Sequence, residues 1–152
     1  MKREIHKIYD TILKIIIAVY LGHFLKYIGE ERGIEEVLDA HQVTLNGKSR
    51  HLDFLCRLTD GTLCHVEFEF PVAYSHDLER FYWYNITAEV RYGEFAETIV
   101  FNFTTNSKGD KKITINNTKD FYPKTFYLGD IDFEKGILVN SNFLSFCLNV
   151  SD

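Results

Sequence analysis

Three acids stand at short, regular spacing in the middle of the chain: Asp53 on one run, then Glu67 and Glu69 two residues apart on the next. Carboxylates brought within about 5–7 Å of one another on paired strands repel and raise each other's pKa. A hard divalent cation removes that repulsion, because Mg²⁺ and Mn²⁺ prefer carboxylate oxygens plus water. Taken alone, the residues leave two readings open, a metal site and a solvated acidic strand face. His51 and His65 share the parity of the acids, and each reads first as a hydrogen-bonded surface histidine.

Other chemistries lack their parts. His65-Val66-Glu67 has the H-x-E of zinc deaminases, but no P-C-x-x-C follows it. There is no G-x-S-x-G for a serine hydrolase and no glycine-rich loop for ATP or NAD. Cys56, Cys64 and Cys147 form no C-x-x-C pair, and read as buried thiols of a reducing cytosol.

The acids need strands to position them. Residues 51–58 and 63–70 each alternate, with Phe54, Cys56, Val66 and Phe68 on one parity and Asp53, Arg57, His65, Glu67 and Glu69 on the other. Thr59-Asp60-Gly61-Thr62 between them predicts a hairpin. For both apolar faces to share a core, even residues must pair with even ones, which a two-residue turn forbids. A three-residue loop, Asp60-Gly61-Thr62, restores the parity and sets Asp53 opposite Glu69, Leu55 opposite Glu67 and Arg57 opposite His65.

Before the hairpin, Ile5, Ile8, Ile12, Ile15, Ile16 and Val19 recur at helical steps, predicting a helix over 5–28 broken by Gly29-Glu30-Glu31-Arg32-Gly33. A strand is expected over 37–45. After the hairpin, Ser75 reads as the N-cap of a helix over 76–92 ended by Gly93, with Leu78, Tyr82, Ile86 and Val90 as its buried stripe. Arg80, Tyr84, Thr87 and Arg91 form a second stripe, fit for phosphate contact and base stacking or for an ordinary solvated face. Strands over 97–104, 112–116 and 124–128 complete an α/β (α+β) order with a mixed sheet.

The 152 residues suit one domain. A formal net charge of −5 excludes coating of nucleic acid by bulk positive charge, so any phosphate contact must be local. Lys108, Lys111 and Lys112 read as a solvated turn. The most apolar run, Ile15 to Leu21, falls far short of the roughly 20 residues a bilayer requires, and no cleavable leader is evident, so a cytoplasmic protein with no membrane partner is expected. The N-x-Ser/Thr triplets at Asn85, Asn102, Asn116 and Asn149 are then read as chance.

Gly47 to Phe103, carrying Asp53, the Asp60-Gly61 turn and Glu67-Phe68-Glu69-Phe70, resembles the PD-(D/E)XK nuclease superfamily. Arg80-Phe81-Tyr82-Trp83-Tyr84-Asn85 is similar to its transposase-like, Rpn-type branch. The resemblance spans about residues 5 to 135. It implies a restriction-endonuclease-like αβββαβ core within a single domain, 1–152, that ends before the helical extension of its relatives. It also implies a Mg²⁺- or Mn²⁺-dependent endonuclease of the recombination-promoting type acting on DNA, with homodimerisation allowed. Asp53 and Glu67 would bind the metal, with Asp53, Glu67 and Glu69 catalytic; Glu30 or Glu36 would be a further ligand. Glu69 occupies the position of the family's lysine, so Arg57, Arg80 or Lys48 would have to supply the positive charge. Arg57, Arg80 and Tyr84 are the expected nucleic-acid contacts. The alternative is a non-catalytic remnant or nucleic-acid-binding module that keeps the fold.

Overall fold

A computed structural model describes residues 21–23, 25–26, 28–43, 49–69, 72–102 and 109–127. It is a mixed α+β structure: a five-stranded sheet with the long helix Ser75–Tyr92 packed on it. The sheet strands are β1 (Ile34–Val37), β4 (Phe54–Leu58), β5 (Leu63–Glu69), β6 (Ala96–Asn102) and β9 (Lys124–Tyr127), in the spatial order β1-β4-β5-β6-β9. β1, β4 and β5 form an antiparallel meander, and β5, β6 and β9 run parallel. Two small antiparallel ribbons are added, β2 (His41–Val43) with β3 (Ser49–His51), and β7 (Ile113–Ile115) with β8 (Lys119–Phe121). The strand expected over 37–45 is therefore two elements, the end of β1 and β2.

The hairpin has the expected parity and a different loop. Leu58 N–H donates to Thr62 O (2.8 Å) and Gly61 N–H to Leu58 O (2.9 Å), so the loop is Thr59-Asp60-Gly61. Gly61 sits at φ 85°, the left-handed conformation that a three-residue loop requires of its last residue. The closing pair thus moves from the expected place, and the register slides by two. Leu55 faces His65, Cys56 faces Cys64 and Arg57 faces Leu63. A slide of two preserves the faces while changing every partner.

Both faces of β4 and β5 are covered. Phe54, Cys56, Cys64 and Val66 pack with Ile99 and Phe101 beneath Leu21 and Leu25 of the preceding helical segment. Leu55, Leu63 and Val100 pack beneath Leu78, Phe81 and Ala88 of the long helix. Each large side chain so buried contributes about 1.5–3 kcal/mol. The acid-bearing face is therefore a helix–sheet interface instead of an open polar surface. His65 is 0 % exposed and Glu67 3 %. β5 is the middle strand of five, flanked on both sides and both faces over Leu63–Glu67, while Phe68 and Glu69 at its carboxyl end stay partly exposed.

The long helix is rotated from the expected stripe. Leu78, Phe81, Tyr84, Asn85 and Ala88 are buried, whereas Val90 is 78 % exposed. Steps of four residues overshoot a turn of about 3.6, so the row 78-82-86-90 drifts off the buried side. Steps alternating between three and four hold it. Ser75 is the first helical residue; Tyr74 precedes it, and its N–H donates to Asp77 Oδ2 (3.0 Å). Gly93 closes the helix at φ 72°.

The helix entry is pinned to the sheet. Ala73 N–H donates to Asn102 Oδ1 (2.6 Å) and Asp110 N–H to Ala73 O (3.2 Å). A Cβ on Gly109 would stand 2.2 Å from Val72 Cγ2, so no larger residue fits there. Asn85 and Asn102, heads of two glycosylation triplets, are buried and closed to modification. Most of the helix expected over 5–28 lies outside the described residues, as do Cys147, Lys48, Lys108 and the side chain of His51. No described helix is long and apolar enough to cross a membrane.

Candidate functional site

β5 runs into the crossover that enters the long helix, so the carboxyl end of β5 and the helix N-terminus meet at one sheet edge. In open sheets with parallel strands this edge is where ligands bind. Glu67 and Glu69 end β5, Asp53 immediately precedes β4, and Arg80 lies in the second turn of the helix.

Asp53 and Glu67 are clamped together across the two strands. Asp53 N–H donates to Glu67 Oε1 (3.1 Å), and Phe68 N–H donates to Asp53 Oδ2 (2.9 Å). The slid register makes Glu67, and not Glu69, the neighbour of Asp53. Glu69 instead forms an ion pair with Arg80, which also lies 3.5 Å from Asp77 Oδ1. Burial pushes the Glu69 carboxyl up to about 7; Arg80 opposes the shift, and Asp77, Glu67 and Asp53 add to it. Mutual repulsion among the acids is real, but burial is the larger cause.

Of the two expected cations among the described residues, Arg57 and Arg80, the structure brings Arg80 to the acids. Its guanidinium lies 4.9 Å from the centre of the Phe81 ring, and its Nε is buried with no hydrogen-bond partner among the described residues. Arg57 is at the far end of β4, bound to Glu94 (2.9 Å) and Glu36. It faces Leu63, so it does not serve the site. Tyr84 is 5 % exposed and packs edge-on to His65, which removes it as a base-stacking surface. Glu36 is committed to Arg57, and Glu30 to Arg32 (2.7 Å), so neither joins Asp53.

A buried polar chain backs Glu67, and the sequence reading missed it. His65 Nε2 is 2.7 Å from Glu67 Oε1, and His65 Nδ1 is 3.5 Å from Thr98 Oγ1. Thr98 donates to Asn85 Oδ1 (3.0 Å), and Asn85 Nδ2 to Ala96 O (2.9 Å). The signal available beforehand was parity: His65 and Glu67, two apart on one strand, must share a face. Nothing in the sequence marked Thr98.

Among the described residues no group of three or more His, Cys, Asp or Glu side chains could hold a metal ion. The donor set at the site is two carboxylates, with Glu67 Oε1 taken by two hydrogen bonds and Oε2 given none by the described residues. Two carboxylates fit Mg²⁺ or Mn²⁺, which keep several waters, and do not fit the four-ligand cage of a structural zinc. No protein-family model, curated protein or solved structure matches the chain.

Proposed function

We propose that the protein is a metal-dependent phosphodiester hydrolase on a restriction-endonuclease-like core, acting on DNA. The observation that carries this reading is the clamp of Asp53 and Glu67 at the carboxyl end of β5, with Arg80 beside it. The antiparallel meander β1-β4-β5, the crossover helix and the parallel β6 supply the βββαβ order that such a core needs.

Asp53 and Glu67 would hold Mg²⁺ or Mn²⁺, which when bound acts as a Lewis acid on the phosphoryl group and acidifies a coordinated water. Arg80, ion-paired with Glu69 at the position of the family's lysine, would provide the positive charge. Its buried, unpartnered Nε–H is a donor that a phosphate oxygen would satisfy, offsetting a cost of about 1–3 kcal/mol. Glu69, held against Arg80, offers a carboxylate oxygen to orient the attacking water. Since the chain is acidic overall, DNA contact is local to this edge.

The test is cleavage of supercoiled and linear DNA, single strands and RNA with Mg²⁺ or Mn²⁺. Nicking is expected, and Asp53→Ala or Glu67→Ala should each lower it at least about 100-fold. Cleavage that survives both substitutions places hydrolysis elsewhere. If the unaltered chain cleaves no substrate with either metal, the binding-module reading replaces this one.

A further inference from the structure

Within the helix–sheet interface over β5, His65, Thr98 and Asn85 form a line of buried polar groups ending on Glu67. His65 is 0 % exposed, walled by the edges of Phe81 and Tyr84 at ring-centre distances of 6.3 and 5.9 Å. It therefore touches neither solvent nor substrate. A buried polar chain of this kind stabilises little beyond an apolar packing of the same shape, while each member left without its partner is costly. What the chain does achieve is direction. Two donors, the imidazole Nε2–H and Asp53 N–H, converge on Glu67 Oε1 and fix the plane of that carboxylate.

We infer that His65 is a positioning residue: packed between Phe81 and Tyr84, it holds Glu67 Oε1 through Nε2–H so that Oε2 is presented beside Asp53 to a divalent cation. This rests on the proposed metal site and adds to it the group that aims its buried ligand. Outer-shell partners of metal-binding side chains commonly contribute 10–100-fold in metal affinity. Thr98 gives its one hydroxyl proton to Asn85 Oδ1, so at 3.5 Å from Nδ1 it packs beside the ring, and the rings of Phe81 and Tyr84 hold the imidazole in place.

The test uses the full chain and Mn²⁺ alone, with free Mn²⁺ read by electron paramagnetic resonance. The unaltered protein should bind Mn²⁺, and Glu67→Gln should abolish binding. His65→Leu, which keeps the volume and removes the donor, should weaken binding about 10–100-fold. His65→Gln, whose amide can still donate to Glu67, should stay within about threefold of the unaltered chain. Near-ultraviolet circular dichroism checks that each variant is folded. In the unaltered protein, Mg²⁺ should also shift the His65 imidazole ¹⁵N resonances, a readout independent of whether His65→Leu folds. Folded His65→Leu that binds Mn²⁺ normally, or imidazole resonances unmoved at saturating Mg²⁺, would overturn the inference and leave the proposed function standing. A native chain that binds no Mn²⁺ would overturn both.

Discussion

Two groups of acids, built from the same residue types, are handled in opposite ways. At one, Arg32 reaches three carboxylates at once: Glu30 (2.7 Å), Asp60 (2.9 Å) and Glu97 (2.7 Å). Lys124 adds a second cation, 3.1 Å from Glu97 and 3.6 Å from Glu30. Arg32 pulls Glu30 and Asp60 down to about 2. Burial pushes Glu97 up, yet its bonds to Arg32 and Lys124 leave it below the ordinary value. At the other group, Asp53, Glu67, Glu69 and Asp77 gather where the described residues supply Arg80, and Glu69 rises to about 7. The first arrangement sets two cations against three carboxylates and holds every one of them in its ionised form. Among the described residues, the second sets Arg80 against Glu69 and Asp77 and leaves its Nε–H without a hydrogen bond, a state that a phosphate oxygen would relieve.

The sharpest break of this comparison is a pair of arginine substitutions. Arg32→Ala removes the centre of a part-buried network and should cost about 2–4 kcal/mol in urea unfolding, with cleavage per folded molecule unchanged. Arg80→Ala should cost under about 1 kcal/mol, because it also relieves a buried donor, and should lower cleavage on the order of 100-fold. Equal stability losses from the two would mean both groups are structural.

A smaller effect is expected from metal binding. A cation bound only by the folded state stabilises it by about 2.7 kcal/mol at a hundred times its dissociation constant. For a domain of this size the melting midpoint should rise on the order of 5 °C with Mn²⁺ relative to EDTA at matched ionic strength. Glu67→Gln should remove the rise and Glu97→Gln should keep it. A response that survives Glu67→Gln would move the cation to other carboxylates.

Parity made the hairpin legible, because alternation over 51–58 and 63–70 admits one sharing of faces. The register was not legible to the residue. It depended on which position of Thr59-Asp60-Gly61-Thr62 takes the left-handed conformation, and Gly61 as the last loop residue slides every pair by two. The helix is legible as an element but its face is not: a row in steps of four drifts around the axis, so the fold turns Tyr84 inward and Val90 outward. Arg57 and Arg80 looked equivalent as charges. Only the fold separates them, placing Arg57 against Glu36 and Glu94 and Arg80 against Glu69. The burial of His65 follows from β5 being the middle strand, which depends on β6 and β9 arriving from some 30 to 60 residues downstream.

The two groups should respond to pH with opposite sign. Glu69 is raised from 4.5 to about 7 by burial, so the folded state binds that proton more tightly than the unfolded chain. Its contribution to stability is fully present below about 4.5 and is lost as pH rises through about 7. Glu30, lowered from 4.5 to about 2, contributes stability present above about 4.5 and lost as pH falls toward 2. One pKa unit corresponds to about 1.4 kcal/mol, so the Glu69 shift alone would amount to about 3 kcal/mol; with the side chain 19 % exposed and screened, about 2 is expected. Urea unfolding in EDTA from pH 4.5 to 8 should show the unaltered protein losing about 2 kcal/mol more than Glu69→Gln over that span. The difference between the two proteins cancels the contributions of all groups other than Glu69. Glu30→Gln should leave the neutral limb unchanged and flatten only the acid limb. Parallel profiles for the unaltered protein and Glu69→Gln would mean that Glu69 is ionised throughout and that Arg80 satisfies it as fully as Arg32 satisfies Glu30, which would erase the contrast between the two groups.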